Sequence, residues 1–152
     1  MERIASFQVD HDKLMPGLYL SRRDGEVTTF DLRFKKPNTG DLLTNAEMHS
    51  VEHIIATLLR NGRARDAVIY FGPMGCQTGF YLLVDSRQLT DADAVELCKE
   101  TFAAGAAFDG AMPGYSSVEC GNYINLSVDL ARKQCAAYSE IIKTWTVEKL
   151  AY

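Results

Sequence analysis

Positive charge and long apolar runs are what this chain is short of. Lys and Arg number 16 against 20 Asp and Glu, a formal net charge of -4. Without a basic face, nucleic acid and anionic membrane surfaces are poor partners. No stretch is apolar for long enough to cross a bilayer, and Met1–Ser6 opens no signal-peptide pattern, so the expected compartment is the cytoplasm, where thiols stay reduced. No linker, repeat or low-complexity tract is visible, and with 47% hydrophobic residues the 152 residues read as a single domain, 1–152, with room for a real core. None of the four cysteines forms a C-x-x-C pair, which removes the commonest ribbon-type zinc and dithiol signatures.

What is present is His49, Glu52 and His53, an H-x-x-E-H arrangement within the run Thr44 to Ile54. Thr44 followed by Glu47 predicts a capping box, and Met48, Val51, Ile54, Ile55, Leu58 and Leu59 recur with helical period as far as Asn61-Gly62. At about 100° per residue the aliphatic stripe occupies one side of this helix. His49 and His53 lie together on the other, among Ala46, Ala56 and Thr57, with Glu52 between the faces. Small residues around two imidazoles suggest a pocket wall. Two imidazoles and a carboxylate make a metal site with a base beside it, once a third ligand is found elsewhere in the chain.

The cysteines are the place to look for that ligand. Cys98 and Cys135 fall within helical apolar patterns and read as packed core thiols. Cys76, in Gly72-Pro73-Met74-Gly75-Cys76-Gln77-Thr78-Gly79, and Cys120, in Val118-Glu119-Cys120-Gly121-Asn122-Tyr123, are flanked by glycines that let backbone approach a ligand and leave a thiol accessible.

Five blocks in one order resemble the S-ribosylhomocysteine lyase (LuxS) family. They are Ser6-Phe7 with Asp10-His11, Thr28 to Phe34 with Pro37-Asn38, His49-x-x-Glu52-His53, Phe71 to Tyr81, and Cys120-Gly121-Asn122-Tyr123. The resemblance implies that His49, His53 and Cys120 hold the metal, that Glu52 and Cys76 exchange protons with substrate, and that Ser6, His11 and Arg33 contact its sugar and polar groups. Read without the family, Arg33 is a strand residue as readily solvated as functional, and His11 an exposed loop histidine. The resemblance also implies a homodimer with two sites at the subunit interface, each bordered by the partner's N-terminal segment. Gln77 follows Cys76 where relatives carry Arg, so activation of the thiol is expected to rest on the metal and on local backbone N–H groups.

The implied reaction is cleavage of S-ribosylhomocysteine to homocysteine and 4,5-dihydroxy-2,3-pentanedione, the autoinducer-2 precursor, which serves quorum sensing and the activated methyl cycle. A C–H beside an aldehyde is too weak an acid to ionise at neutral pH, and a divalent metal on the neighbouring oxygens spreads the developing charge. Two imidazoles and a thiolate suit Fe(II), Zn(II) or Co(II); the resemblance points to Fe(II), with the other two as replacements. Two rivals share part of this pattern. H-x-x-E-H also marks inverted zinc peptidases, in which the Glu activates water, and a non-catalytic metal-binding protein on the same scaffold would use the same ligands but needs neither Glu52 nor Cys76.

Hydrophobic alternation predicts strands at Gly17–Leu20 and Val27–Phe34, joined through Arg23-Asp24-Gly25, and at Ala67–Phe71 and Gly79–Val84, with Cys76 in the bend between the last two. Further helices are expected from Thr90 to about Phe108 and from about Ser127 to Trp145. The expected architecture is α+β, an antiparallel sheet with helices packed on one face.

Overall fold

The computed structural model describes residues 1–152. Its elements are β1 (Gly17–Asp24), β2 (Val27–Arg33), α1 (Asn45–Asn61), β3 (Val68–Pro73), β4 (Gly79–Asp85), α2 (Asp91–Ala106) and α3 (Val128–Ile142), with short 3-10 turns at Ala5–Phe7, Tyr123–Asn125 and Val147–Lys149. The strands form one sheet in the order β1-β2-β4-β3, every neighbouring pair antiparallel. No helix is long and apolar enough to cross a membrane. The α+β expectation holds.

Strand alternation decides which side the helices take. Leu18, Leu32 and Phe80 pair across β1, β2 and β4 in one row and Phe30 and Leu82 in the next on the same face, and all join a single apolar core with Val51, Ile54 and Ile55 of α1 and with Phe102, Cys135 and Tyr138 of α2 and α3. α1 lies along β3, α3 reaches β1, and α2 packs against both other helices. Phe34 stacks on Tyr138 with ring centroids 4.1 Å apart, and the Tyr138 hydroxyl donates to the Gly17 carbonyl at 3.0 Å, so even the one polar atom of this buried ring has a partner. At Gly105 α2 comes close to both other helices: a Cβ there would lie 2.8 Å from Cys135 Sγ and 2.9 Å from Ile55 Cδ1.

The helix starts are set by side chains. Glu47 N–H donates to Thr44 Oγ1 at 3.1 Å while Thr44 N–H donates to the Glu47 carboxylate at 2.8 Å, the predicted capping box. Thr90 and Asp93 repeat the device at α2, and Ser127 caps α3. β2, β3 and β4 differ from expectation by one or two residues at an end, and three other elements differ as well. β1 runs four residues further, because Arg22, Arg23 and Asp24 stay paired with β2 beyond a bulge after Leu20, out to the turn at Gly25, whose φ is +59°. α2 ends at Ala106. α3 stops at Ile142, after which the chain turns so that the Trp145 ring meets Gly17 and packs edge-on against Tyr19.

On the sheet face away from the helices, Thr29, Asp31 and Arg33 are nonetheless buried. Tyr19, Tyr81 and the returning Tyr152 surround them.

Candidate metal centre

α1 turns His49 and His53 toward the loop between α2 and α3, their rings 4.6 Å apart and nearly perpendicular. Cys120 arrives from that loop with Sγ 3.3 Å from His49 Nε2, and the ligand atoms of all three residues lie within 4.8 Å of one another. For comparison, a tetrahedral ion with metal–nitrogen about 2.1 Å and metal–sulfur about 2.3 Å separates such atoms by about 3.6 Å. The donor set is therefore gathered at close to binding distance.

The imidazole tautomers agree with this. His53 Nδ1 lies 2.8 Å from the Pro113 carbonyl oxygen, which can only accept, so Nδ1 carries the proton and Nε2 keeps its lone pair. His49 Nδ1 donates to Asn125 Oδ1 at 2.6 Å, and Asn125 Nδ2 in turn donates to Asn45 Oδ1 at 2.8 Å, which fixes the amide's orientation. Both Nε2 atoms are left free to ligate, with the outer-sphere hydrogen bonds that metal-binding histidines use. Gly114 makes the Pro113 contact possible: its φ is +71°, and a Cβ there would sit 2.9 Å from His53 Nδ1. Glu52 lines a cavity of about 250 Å³ with His49, Asn45, Met48, Pro73 and Asn122.

Cys76 is exposed in the loop between β3 and β4, in a turn closed by Gln77 N–H to the Met74 carbonyl at 3.0 Å. Gln77 adopts φ 64° and spends its side chain on the Leu43 carbonyl, 2.9 Å away. The positive charge beside the thiol comes instead from Arg33, whose Nη1 lies 3.8 Å from Cys76 Sγ and donates to Thr78 Oγ1 at 2.7 Å, with that hydroxyl 3.1 Å from the sulfur. Arg33 is not a solvated strand charge, being 2% exposed. Asp31 holds it through two hydrogen bonds, Nε to Oδ1 at 3.1 Å and Nη2 to Oδ2 at 2.6 Å. Burial works against the guanidinium's charge, but the bond to Asp31 and its charge raise the Arg33 pKa above the ordinary value.

Residues 4–149 match the family described as S-ribosylhomocysteinase (LuxS). The chain belongs to the LuxS family. Among curated relatives, the S-ribosylhomocysteine lyase of Finegoldia magna is 44% identical over 156 residues, and that of Desulfotalea psychrophila 46% identical over 158, each alignment covering 100% of this chain and 99% of the relative. That of Clostridium acetobutylicum is 41% identical with the same coverage.

Within this LuxS-family chain, His49, His53 and Cys120 come together, with Glu52 on the wall beside them. Cys76, Thr78 and His11 line a second cavity, of about 300 Å³, with Leu42 at its rim. His11 Nδ1 is held by the Val9 carbonyl at 2.9 Å. Ser6 is half-buried in the turn Ala5–Phe7 and lines neither cavity. Sequence reasoning missed Asn125, Gly114, Thr78 and Asp31. Asp31 alone left a signal, since two opposite charges two apart on a strand share one face; the others are recognisable only from what they touch.

Proposed function

We propose that this chain is a divalent-metal-dependent S-ribosylhomocysteine lyase that walks a carbonyl along the ribose and then expels homocysteine, leaving 4,5-dihydroxy-2,3-pentanedione. The single observation that carries the reading is the gathering of His49, His53 and Cys120 beside Glu52 in a chain of this family. These three ligands hold the cation. When bound, it supplies Lewis acidity at the sugar's oxygens, which makes the adjoining C–H bonds acidic enough to exchange.

The remaining work belongs to side chains. A proton taken from C2 returns at C1 as the carbonyl moves to C2, and one taken from C3 returns at C2 as the carbonyl moves to C3. Removal of the C4 proton then forms the C4–C5 π bond while the C5–S bond breaks, its electron pair leaving on sulfur, and the resulting enol rearranges to the dione. Glu52 and Cys76 are the groups that take and return these protons. Between taking and giving, the Cys76 sulfur has the Arg33 guanidinium and the Thr78 hydroxyl against it. Ser6 and His11 contact the sugar, while Arg33, occupied by Asp31 and Thr78, acts toward the sulfur and meets substrate only along its Nη1 edge.

In one chain the cavity with Glu52 and the cavity with Cys76 are separate. A homodimer that sets one chain's metal cavity against the other's Cys76 cavity and N-terminal segment unites them. Exposed apolar side chains support this, with Leu42 at the Cys76 cavity, Phe7 and Met15 in the N-terminal segment, and Val118, Ile124 and Tyr115 on the Cys120 loop. We assign Fe(II) as the resident metal, with Zn(II) or Co(II) able to replace it, and the cytoplasm as the compartment, where four unpaired thiols persist. The product places the enzyme in autoinducer-2 synthesis and in recycling of the spent methyl donor.

The deciding experiment is titration of thiol released from S-ribosylhomocysteine, with metal analysis of the same preparation. Turnover that tracks iron content and falls after peroxide exposure is expected. No thiol release from metal-loaded protein would overturn the activity, and full activity after prolonged peroxide exposure would overturn the choice of iron.

A further inference from the structure

On the sheet face away from the helices, the Arg33 guanidinium beside Cys76 is itself held by a chain of contacts that ends at Tyr152. Arg33 gives Nε and Nη2 to Asp31, which leaves Nη1 aimed at Thr78 and Cys76. Asp31 is 1% exposed, and its Oδ2 already accepts from Arg33 Nη2 at 2.6 Å. That oxygen accepts a further hydrogen bond at 2.7 Å from the Tyr152 hydroxyl, 121 residues away in sequence. The Tyr152 ring is fixed independently, stacked on Tyr19 with centroids 5.1 Å apart and planes 17° apart. We propose that Tyr152 is a positioning residue for the proton-exchanging thiol, its hydroxyl anchoring Asp31 so that Arg33 presents Nη1 to Cys76.

The physical argument concerns charge as much as geometry. Asp31 and Arg33 are an almost dry ion pair on a strand two residues apart, and a negative Cys76 sulfur facing them feels the guanidinium's attraction against the carboxylate's repulsion. A hydroxyl donating to Asp31 Oδ2 draws that negative charge away from the sulfur and restrains the carboxylate, both in favour of the attraction. Burial, followed by the Asp31 charge, raises the Tyr152 pKa, so the phenol keeps the proton it donates. The other ionisable groups facing this cluster are Tyr19 and Arg22 on β1, Tyr81 on β4, Tyr138 on α3 and His11 in the Cys76 cavity. All of them are unchanged when only the Tyr152 oxygen is removed. The inference rests on the reading of Cys76 as the proton-exchanging thiol, and its test does not depend on turnover.

The test is the rate of Cys76 alkylation by iodoacetamide as a function of pH, followed by site-resolved mass spectrometry on the metal-loaded, full-length protein, with Tyr152→Phe against wild type. Phenylalanine keeps the stack on Tyr19 and removes the hydroxyl's contacts with Asp31 and with the Ser21 side chain. The expected result is alkylation roughly threefold slower at pH 7 in the variant. In an Asp31→Asn background the same change should have no further effect, because the contact it removes no longer leads to a paired guanidinium. Superimposable wild-type and Tyr152→Phe profiles would overturn the proposal, as would an equal slowing in the Asp31→Asn background; should Asp31→Asn fail to fold, the Tyr152→Phe profile alone decides. A Cys76→Ala enzyme that still turned over would remove the acid–base role of Cys76 while leaving the alkylation result standing, so the two failures are distinguishable.

Discussion

Cys98 and Cys135, enclosed among the helices, are each pushed up by burial to about 12, against an ordinary value of 9.0, whereas Cys76 lies at the surface. Two behaviours follow at this scale. At pH 8 iodoacetamide should modify Cys76, and Cys120 only after metal is removed, leaving Cys98 and Cys135 untouched in the folded chain; labelling of the buried pair without prior unfolding would contradict their placement. Because folding favours the protonated thiols, the stability they contribute is whole below about pH 9 and is lost as pH rises toward about 12. Melting temperature should therefore fall across that window, and less steeply in Cys98→Ala. Direct roles belong to this scale too: Cys76→Ala and Glu52→Gln should each lower thiol release from S-ribosylhomocysteine by about 10²- to 10⁴-fold, the usual contribution of a general acid or base. The burial of Cys98 and Cys135 was legible in the sequence because their apolar neighbours recur with helical period. The burial of Arg33 was not, since what removes it from water is Asp31 from its own strand and a tyrosine near the far end of the chain.

α1 was readable to the residue at its start because cap, stripe and histidine spacing all point to one helix, and local signals suffice when no distant partner is needed. The segment between α2 and α3 shows the opposite case. Its one legible feature was an accessible Cys120, and its path is set by contacts to α1 that no spacing announces: Pro113 to His53, Asn125 to His49 and Asn45, and Ser127 N–H to Ser50 Oγ at 2.9 Å. Asn125 therefore both orients a proposed ligand, His49, and ties the Cys120 segment to the helix that carries both histidines. Asn125→Leu, close in volume but without the acceptor, should weaken metal binding by about 10- to 100-fold in a chelator competition while α1 helicity is retained. Unchanged affinity would mean that His49 needs no help in choosing its tautomer. The overrun of the predicted α3 has a tertiary cause as well, because Trp145 leaves the helix to pack at Gly17.

At the scale of the whole molecule, the separation of the Glu52 and Cys76 cavities makes a quantitative claim about assembly. Neither Cys76→Ala nor His53→Ala should be active alone. Mixed and allowed to exchange subunits, half of the dimers are hybrids and each carries one intact site if metal and thiol come from different chains, so activity should recover to roughly a quarter of wild type. No recovery from hybrids confirmed by mass spectrometry would place each site within one chain. A single elution as monomer with full activity would do the same. The close meeting of helices at Gly105 has a consequence of a different kind. The helix backbone at Gly105 closes one side of the Cys135 sulfur, and with Cys98 buried as well, oxidation of the native fold should be recorded on Cys76 and Cys120. A cell extract's history of peroxide stress could then be read from this protein as a simple ratio, its reactive thiols counted against an internal standard that never changes.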